Sequence, residues 1–219
     1  MTTSAGHYLT FLPERYGSSR CRWPLVLFLH GSGECGDDPH QVKKHGLPKL
    51  ADNGRVFPFV LIAPQCPKGS SWSEDFLEMV LDDVLARFRV DPNRVILTGI
   101  SLGGNGVWRM AIRYPDRFAA VVPVAAWGPR GRVARLKQVP VWAFHGARDR
   151  GVPLRAGKAI VTALKKAGGR VKFTVYKTAD HAETWEKAYA NEGLYRWMLK
   201  QSLRKNEIAT RGEQSKGDE

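Results

Sequence analysis

The chain has 219 residues, which suffices for one large domain or two small ones and for a sizeable hydrophobic core. Apolar residues make up 43% of it and charged residues 25%, and no apolar run approaches the roughly 20 residues that cross a bilayer, so the composition is typical of a soluble globular protein without membrane insertion. The net charge of +13 comes from scattered lysines and arginines without a nucleic-acid-binding motif. We therefore expect a solvated basic surface and no nucleic-acid partner. The alternative is that the positive charge attracts anionic substrates.

The first residues and the cysteines indicate a cytoplasmic protein. Residues 1–7 lack the basic stretch and apolar core of a secretory signal. The three cysteines, Cys21, Cys35 and Cys66, are too few for a disulfide framework and match no zinc pattern, which fits a reducing compartment. One pair could still form a bridge, so the sequence leaves their oxidation state open.

Short apolar runs separated by loops dominate the first half of the chain. Three of them are predicted strands: 8–12, 25–29 and 59–63. The second and third are continuous apolar runs, typical of strands that are buried on both faces of a sheet. A short helix is possible within residues 42–53. Apolar residues at helical spacing predict an amphipathic helix over 75–89, and a turn is expected at 91–93.

Strands and helices alternate through the second half. Further strands are predicted from Val95 onward and over 118–126, 139–144 and 171–176, with helices after Ser101 and over 156–167 and 184–203. This alternation implies parallel crossovers, hence an α/β fold with a mostly parallel central sheet and helices on both faces. We expect a single domain over residues 1–203. Residues 204–219 are charged and lack apolar periodicity, which predicts a disordered tail.

The stretch Gly99-Ile100-Ser101-Leu102-Gly103 lies between a predicted strand and a predicted helix. This is the context of a nucleophile elbow, in which a serine on a sharp turn projects its hydroxyl away from the backbone. Glycines two positions before and after keep side chains off the crowded turn. The first amides of the helix point to where negative charge appears during acyl transfer. Ser101 is therefore the candidate nucleophile, although glycine and serine also occur in ordinary turns.

A serine nucleophile needs a base and an acid. Downstream of Ser101 there are two histidines. His145 directly follows an apolar strand, so we expect it to pack or to bond the backbone, whereas His181 lies in a polar loop after the last strand and is the better base. Asp149 ends the preceding strand and completes the chain order serine, aspartate, histidine. Asp180 is the competing acid, but sequence neighbours rarely face each other well.

Acyl transfer also requires donors for the oxyanion. One is expected to be the amide of Leu102, directly after the nucleophile. The other should come from the glycine-containing loop after the strand at 25–29. Ser32 is our choice there, with Gly31 and Gly33 as alternatives.

Five motifs together resemble one family. They are His30-Gly31-Ser32-Gly33-Glu34, Ala63-Pro64-Gln65-Cys66-Pro67, 98–104, 114–120 and His145-Gly146-Ala147-Arg148-Asp149. The chain resembles the α/β-hydrolase superfamily and, more narrowly, its small cap-less serine esterases, which are often labelled predicted peptidases and are similar to feruloyl esterases, dienelactone hydrolases and polyhydroxybutyrate depolymerases. The resemblance covers about residues 7–200. It implies an α/β-hydrolase fold, a triad of Ser101, Asp149 and His181, and no metal or organic cofactor.

Two features depart from the family pattern. Relatives commonly have a glycine just before the base histidine, whereas this chain has Asp180, so we expect a different approach to His181. Fewer small residues than usual surround Trp127, which predicts a narrower pocket.

Three tryptophans lie in or beside loops at the presumed active edge: Trp72, Trp127 and Trp185. Their rings could stack on an aromatic acyl group or a sugar face, or simply pack against helices. The longest insertion, 37–57, is too short for a cap domain, which predicts an open site. The sequence thus favours a serine carboxylic-ester hydrolase acting on small or terminal esters. A peptidase of the same fold and a catalytically silent binding module are the alternatives. The sequence does not indicate the oligomeric state.

Overall fold

The computed structural model of the protein describes residues 8–203 and has a seven-stranded sheet at its centre. The strands are Tyr8–Phe11 (β1), Trp23–Leu29 (β2), Val60–Pro64 (β3), Val90–Ile100 (β4), Ala120–Val124 (β5), Val141–Gly146 (β6) and Val171–Tyr176 (β7). Their order is β1-β3-β2-β4-β5-β6-β7, with β1 antiparallel to β3 and the other neighbours parallel. The mostly parallel sheet expected from the sequence is confirmed. The predicted tail at 204–219 lies outside the described residues.

The apolar runs of the sequence form the inner strands because both faces of the sheet are covered. All five residues of β3 and of β5 are buried, as are six of the seven in β2. Strand β4 lies between β2 and β5, with Leu97 level with Leu27 on one side and Val121 on the other. Every residue of edge strand β7 is exposed or half-buried, as expected where one side lacks a neighbouring strand.

Six helices cover the two faces of the sheet. They are Gly46–Asp52 (α1), Glu74–Arg87 (α2), Leu102–Arg113 (α3), Leu154–Lys166 (α4), His181–Tyr189 (α5) and Glu192–Leu199 (α6). Helices α2, α3 and α4 contribute to one hydrophobic core, through residues such as Leu77, Val107 and Ile160. Helices α1, α5 and α6 contribute to the core on the other face, through Leu47, Ala188 and others. The expected helices on both faces are confirmed.

The single helix predicted over 184–203 is wrong, because the chain forms α5 and α6 with a break between them. The side chain of Asn191 accepts a hydrogen bond from the Gly193 amide at 2.9 Å and so caps the start of α6. An asparagine that bonds the following backbone begins a new helix more readily than it continues an old one.

The short helix predicted within 42–53 is confirmed as α1, which follows a 3₁₀ turn at Pro39–Lys44 with extended His45 between them. One further local prediction needs correction. The turn expected at 91–93 lies inside β4. There the Asp91 carboxylate accepts a hydrogen bond from the Asn93 amide at 3.0 Å while the strand continues. Among residues 8–203, no helix is both long and apolar enough to span a membrane.

Candidate active site

Ser101 occupies the sharp turn between β4 and α3. Its φ is 53° and its ψ is −116°, a conformation that strains a residue with a side chain. The turn is crowded because the start of α3 packs against the end of β2. A Cβ on Gly99 would lie 2.7 Å from the carbonyl carbon of Gly103, and a Cβ on Gly103 would overlap the carbonyl oxygen of Leu29. Only glycine fits at these two positions, as the motif indicated.

The structure brings Ser101, His181 and Asp149 together. His181 is the first residue of α5, and its Nε2 lies 2.9 Å from the Ser101 Oγ. Its Nδ1 lies 2.7 Å from the Asp149 Oδ2. Because the Asp149 carboxylate accepts, Nδ1 carries the proton and Nε2 is free to accept from the serine hydroxyl. The three groups thus form a continuous hydrogen-bonded chain from carboxylate to hydroxyl.

The Asp149 carboxylate is held rigidly. Its side chain is fully buried, and its Oδ1 accepts a hydrogen bond from the Val152 amide at 2.7 Å. The His181 ring packs between the backbone at Gly151, where a Cβ would lie 3.1 Å from the ring, and the Trp185 ring, which meets it edge-on with centroids 4.8 Å apart. The Asp149 carboxylate and the His181 ring therefore cannot move far without disturbing the packing around them.

The alternative histidine and the alternative acid have structural roles. His145 is 1% exposed, and its Nε2 donates to the Val152 carbonyl oxygen at 2.8 Å, so the expectation that it bonds the backbone is confirmed. Burial lowers its pKa, which keeps the ring neutral. Asp180 caps α5, accepting from the Glu183 amide at 2.9 Å, while the Glu183 carboxylate accepts from the Asp180 amide. Asp180 therefore fixes the start of the helix that carries His181.

The loop after β2 runs directly beside Ser101. A Cβ on Gly31 would lie 3.6 Å from the Ser101 Cβ, so the backbone that leads into Ser32 borders the nucleophile. Leu102 is the first residue of α3, where helix amides have no intrahelical partner. The amides of Ser32 and Leu102 thus belong to the two segments that border the hydroxyl.

Buried groups brace this loop from beneath, and the sequence did not predict the role of His30 among them. His30 accepts a hydrogen bond from the Cys66 amide at Nε2 (3.0 Å) and donates from Nδ1 to the Gly31 carbonyl at 2.6 Å. Burial lowers its pKa to about 4, which keeps the ring neutral. The Glu34 side chain is also buried, with its Oε1 3.6 Å from the His45 Nε2. The only signal in the sequence is that a histidine ends a buried strand before a glycine.

Trp72 needs correction as a pocket residue. It is 2% exposed, its indole donates to the His30 carbonyl at 3.1 Å, and its Cβ would contact a side chain placed at Gly106. A ring enclosed in this way cannot contact a substrate. Trp72 instead supports the loop after β2 and the underside of α3.

The other two tryptophans lie beside the candidate site. Trp127 is 38% exposed and follows β5, and its carbonyl accepts a hydrogen bond from the Asn105 side chain at 3.2 Å. Trp185 contacts the His181 ring as described above. A cavity of about 460 Å³ opens beside His181, and its other lining residues are Arg148, Arg150, Gly151, Asp180 and Ala182. Within residues 8–203, no cluster of three or more metal-ligating side chains occurs.

Comparisons with known proteins agree with this architecture. The family model described as alpha/beta hydrolase fold matches residues 24–149. A putative esterase, NocK, from Nocardia uniformis subsp. tsuyamanensis is 31% identical over 180 residues, which cover 74% of this chain and 50% of that protein. Carboxylesterase SOBER1 from Arabidopsis thaliana is 25% identical over 72% of this chain and 83% of its own length. The chain thus spans half the length of NocK.

A solved structure with a similar backbone is a thermostable esterase, which has a TM-score of 0.76 and 30% sequence identity. The match covers 89% of this chain and 59% of that one. The family match covers more than half of the sequence and includes Ser101 and Asp149. The chain belongs to the alpha/beta hydrolase fold family.

Proposed function

We propose that this protein is a serine carboxylic-ester hydrolase that works through a covalent acyl-enzyme on small or terminal esters. The observation that carries the proposal is the hydrogen-bonded chain from Asp149 through His181 to Ser101, with heavy-atom distances of 2.7 and 2.9 Å. These distances lie within the range over which a base removes a proton from a nucleophile.

In the proposed first step, the Ser101 Oγ attacks the ester carbonyl and its proton passes to the His181 Nε2. The imidazolium that forms is stabilised by the buried Asp149 carboxylate, whose second oxygen is already occupied by the Val152 amide. The protonated Nε2 then donates to the leaving alcohol, and an acyl-serine remains. In the second step His181 removes a proton from the water that attacks the acyl-serine. The bond between the acyl carbon and the Ser101 Oγ then breaks, His181 returns the proton to this oxygen, and the acid is released.

The negative charge of each tetrahedral intermediate requires donors that are already in position. We assign this role to the amides of Ser32 and Leu102. The Gly31 backbone, on which a Cβ would lie 3.6 Å from the Ser101 Cβ, supports the first assignment, and the position of Leu102 at the start of α3 supports the second. The strained backbone of Ser101 is consistent with a nucleophile that the turn holds away from its own helix.

The relatives support ester hydrolysis without defining the substrate. NocK is described as a putative esterase and SOBER1 as a carboxylesterase. The site lacks a cap among the described residues, and the Ser101 side chain is partly exposed, which favours small esters or esters at the end of a larger molecule.

The proposal predicts that Ser101→Ala removes ester turnover while leaving the fold intact. The test measures hydrolysis of 4-nitrophenyl acetate together with labelling by a fluorophosphonate and mass spectrometry of the adduct. We expect kcat/KM to fall by at least about a thousandfold and the adduct to map to Ser101. Ser71→Ala, which changes an exposed serine in the loop before α2, is the matched control.

Wild-type turnover in Ser101→Ala would refute the assignment of the nucleophile. Absence of an adduct on folded wild-type protein would favour a silent binding module. A peptide amide cleaved as fast as the matching ester would favour the peptidase alternative.

A further inference from the structure

A groove lies along α3 and starts one helical turn beyond Ser101. It has a volume of about 540 Å³ and begins at Asn105 and Trp127. Asn105 lies one helical turn after Ser101, and its side chain donates to the Trp127 carbonyl at 3.2 Å. Arg109 and Arg113 line the groove one and two turns further on. With a rise of about 1.5 Å per residue, they lie about 12 and about 18 Å from Ser101 along the helix axis.

The walls of this groove are strongly basic. Four arginines line it, and Glu74 is the single acidic lining residue among the described part of the chain. Glu74 pairs with Arg109 at 2.7 Å, which leaves the remaining cations without a carboxylate inside the groove. Arg113 pairs with Asp75 outside the groove at 2.6 Å. The groove therefore has an excess of positive charge.

Two of the four arginines have no carboxylate within 4 Å anywhere in residues 8–203. They are Arg132 and Arg135, in the segment after β5. The Arg135 guanidinium donates to the Arg113 carbonyl oxygen at 3.1 Å, which anchors it at the far end of the groove. A guanidinium offers several donors in a planar fork that matches carboxylate, phosphate or sulfate oxygens. The unpaired charges of Arg132 and Arg135 are thus available to a ligand in the groove.

Both ends of the groove therefore have distinct chemistry. The end near Ser101 carries the exposed Trp127 ring, which suits an apolar or flat part of a substrate. The far end carries guanidinium groups. An ester whose reacting carbonyl sits at Ser101 would extend past Trp127 and reach the arginines with an anionic group.

We propose that this groove binds the anionic part of the ester substrate. The preferred substrates are esters with a carboxylate or another oxyanion about 12–18 Å from the reacting carbonyl. This proposal rests on the proposed ester hydrolysis, because it assigns the substrate class of the same site. It also gives a role to part of the net charge of +13, which would otherwise be only a solvated surface.

The test compares esters that differ only in charge and reach. The substrates are the mono-4-nitrophenyl esters of adipic and dodecanedioic acid, each paired with the analogue whose free carboxylate is replaced by a carboxamide. We expect kcat/KM for the dodecanedioic carboxylate to exceed that of its carboxamide by at least about fivefold at low salt. The short adipic pair cannot reach the arginines of the groove and should show little preference. Added sodium chloride should reduce the long-chain preference.

Two double variants locate the effect. Arg132→Gln with Arg135→Gln should abolish most of the carboxylate preference of the dodecanedioic pair. Arg155→Gln with Lys158→Gln removes the same charge from α4, outside the groove, and should keep the preference. An equal loss in both variants would mean that only the net charge matters, and the proposal would fail. It would also fail if the groove variant kept the preference or if Arg148→Gln with Arg150→Gln removed it instead.

A binding measurement separates this proposal from the proposed function. Pyranine, an aromatic trisulfonate, is titrated with Ser101→Ala protein and followed by fluorescence anisotropy. Weaker binding in the Arg132→Gln/Arg135→Gln background, but not in the Arg155→Gln/Lys158→Gln background, would support an anion-binding groove even if no ester were turned over. Equal binding in both backgrounds would overturn the groove, whether or not Ser101 hydrolyses esters.

Discussion

Acid should destabilise this protein over the pH range in which His30 takes up a proton. The ring is 1% exposed and accepts a hydrogen bond from the Cys66 amide at Nε2, while Nδ1 donates to the Gly31 carbonyl. Burial lowers the pKa of His30 to about 4. A proton on Nε2 would face the N–H of Cys66, which is also a donor, and would disturb the loop that borders Ser101.

The size of the effect follows from the two pKa values of His30. In the unfolded chain the pKa is near 6.5, so between pH 6.5 and about 4 the unfolded state binds more protons than the folded state. The stability contributed by the neutral ring is complete above pH 6.5 and is lost as the pH falls through this window. At about 1.4 kcal/mol for each pH unit, the loss amounts to about 3 kcal/mol. The Glu34 carboxylate, 4.0 Å from Nδ1, favours the charged ring, so this figure is a ceiling.

The assay is urea unfolding at a series of pH values between about 7 and about 4, on wild type and His30→Gln. Glutamine can still accept from the Cys66 amide but does not titrate, so the variant should be less stable near neutrality and lose less stability in acid. His40→Gln changes an exposed histidine and should follow wild type. Buried His145 titrates in all three proteins, so its contribution cancels in the comparison. Parallel stability curves for wild type and His30→Gln would refute the reasoning.

Two further predictions concern the backbone around the nucleophile. Gly103→Ala places a Cβ against a carbonyl oxygen of β2 and should lower the free energy of unfolding by about 2–3 kcal/mol in urea titrations. Gly33→Ala, which has open space around the new Cβ, should change the free energy of unfolding by less than about 0.5 kcal/mol. Equal effects of the two substitutions would contradict the crowding argument. Ser101→Gly should be about 1 kcal/mol more stable than Ser101→Ala, since glycine relieves the positive φ at 53°. A less stable glycine variant in the same titration would show that the turn is not strained.

The sheet could be predicted from the sequence because burial on both faces leaves a direct record in it. Continuous apolar runs marked β2 and β3, and glycine or polar residues marked the ends of β2, β4 and β6. The expected fold therefore agrees with the structure, including a mostly parallel sheet with helices on both faces. Helix ends were less predictable. Apolar residues continue at helical spacing across Asn191, and only the hydrogen bond to the Gly193 amide shows that a new helix begins there.

The candidate site was predictable where it depends on chain order and unpredictable where it depends on packing. Ser101, Asp149 and His181 each follow a strand, and the carboxyl ends of parallel strands meet at one edge of the sheet. The sequence carries no comparable signal for the depth of a ring below that edge. Trp72 and Trp127 both lie in loops near it, yet one is 2% and the other 38% exposed.

The basic groove illustrates a second limit of the sequence. Arg109 belongs to α3, whereas Arg132 and Arg135 belong to the segment after β5, so their common cavity exists only after these elements pack. The partners that neutralise charges are equally remote in sequence, as with Arg109 and Glu74. Scattered cations in a sequence therefore do not distinguish a solvated surface from a binding groove.

Asp180, which departs from the pattern of the family that the sequence resembles, forms a helix cap. Its carboxylate accepts from the Glu183 amide, and its amide donates back to the Glu183 side chain. A reciprocal cap of this kind fixes the first turn of a helix. The first residue of that helix is His181, and the preceding backbone lies so close to β6 that a Cβ on Gly146 would overlap it. The aspartate thus contributes to the placement of the imidazole without contacting it, so its presence is compatible with His181 acting as the base.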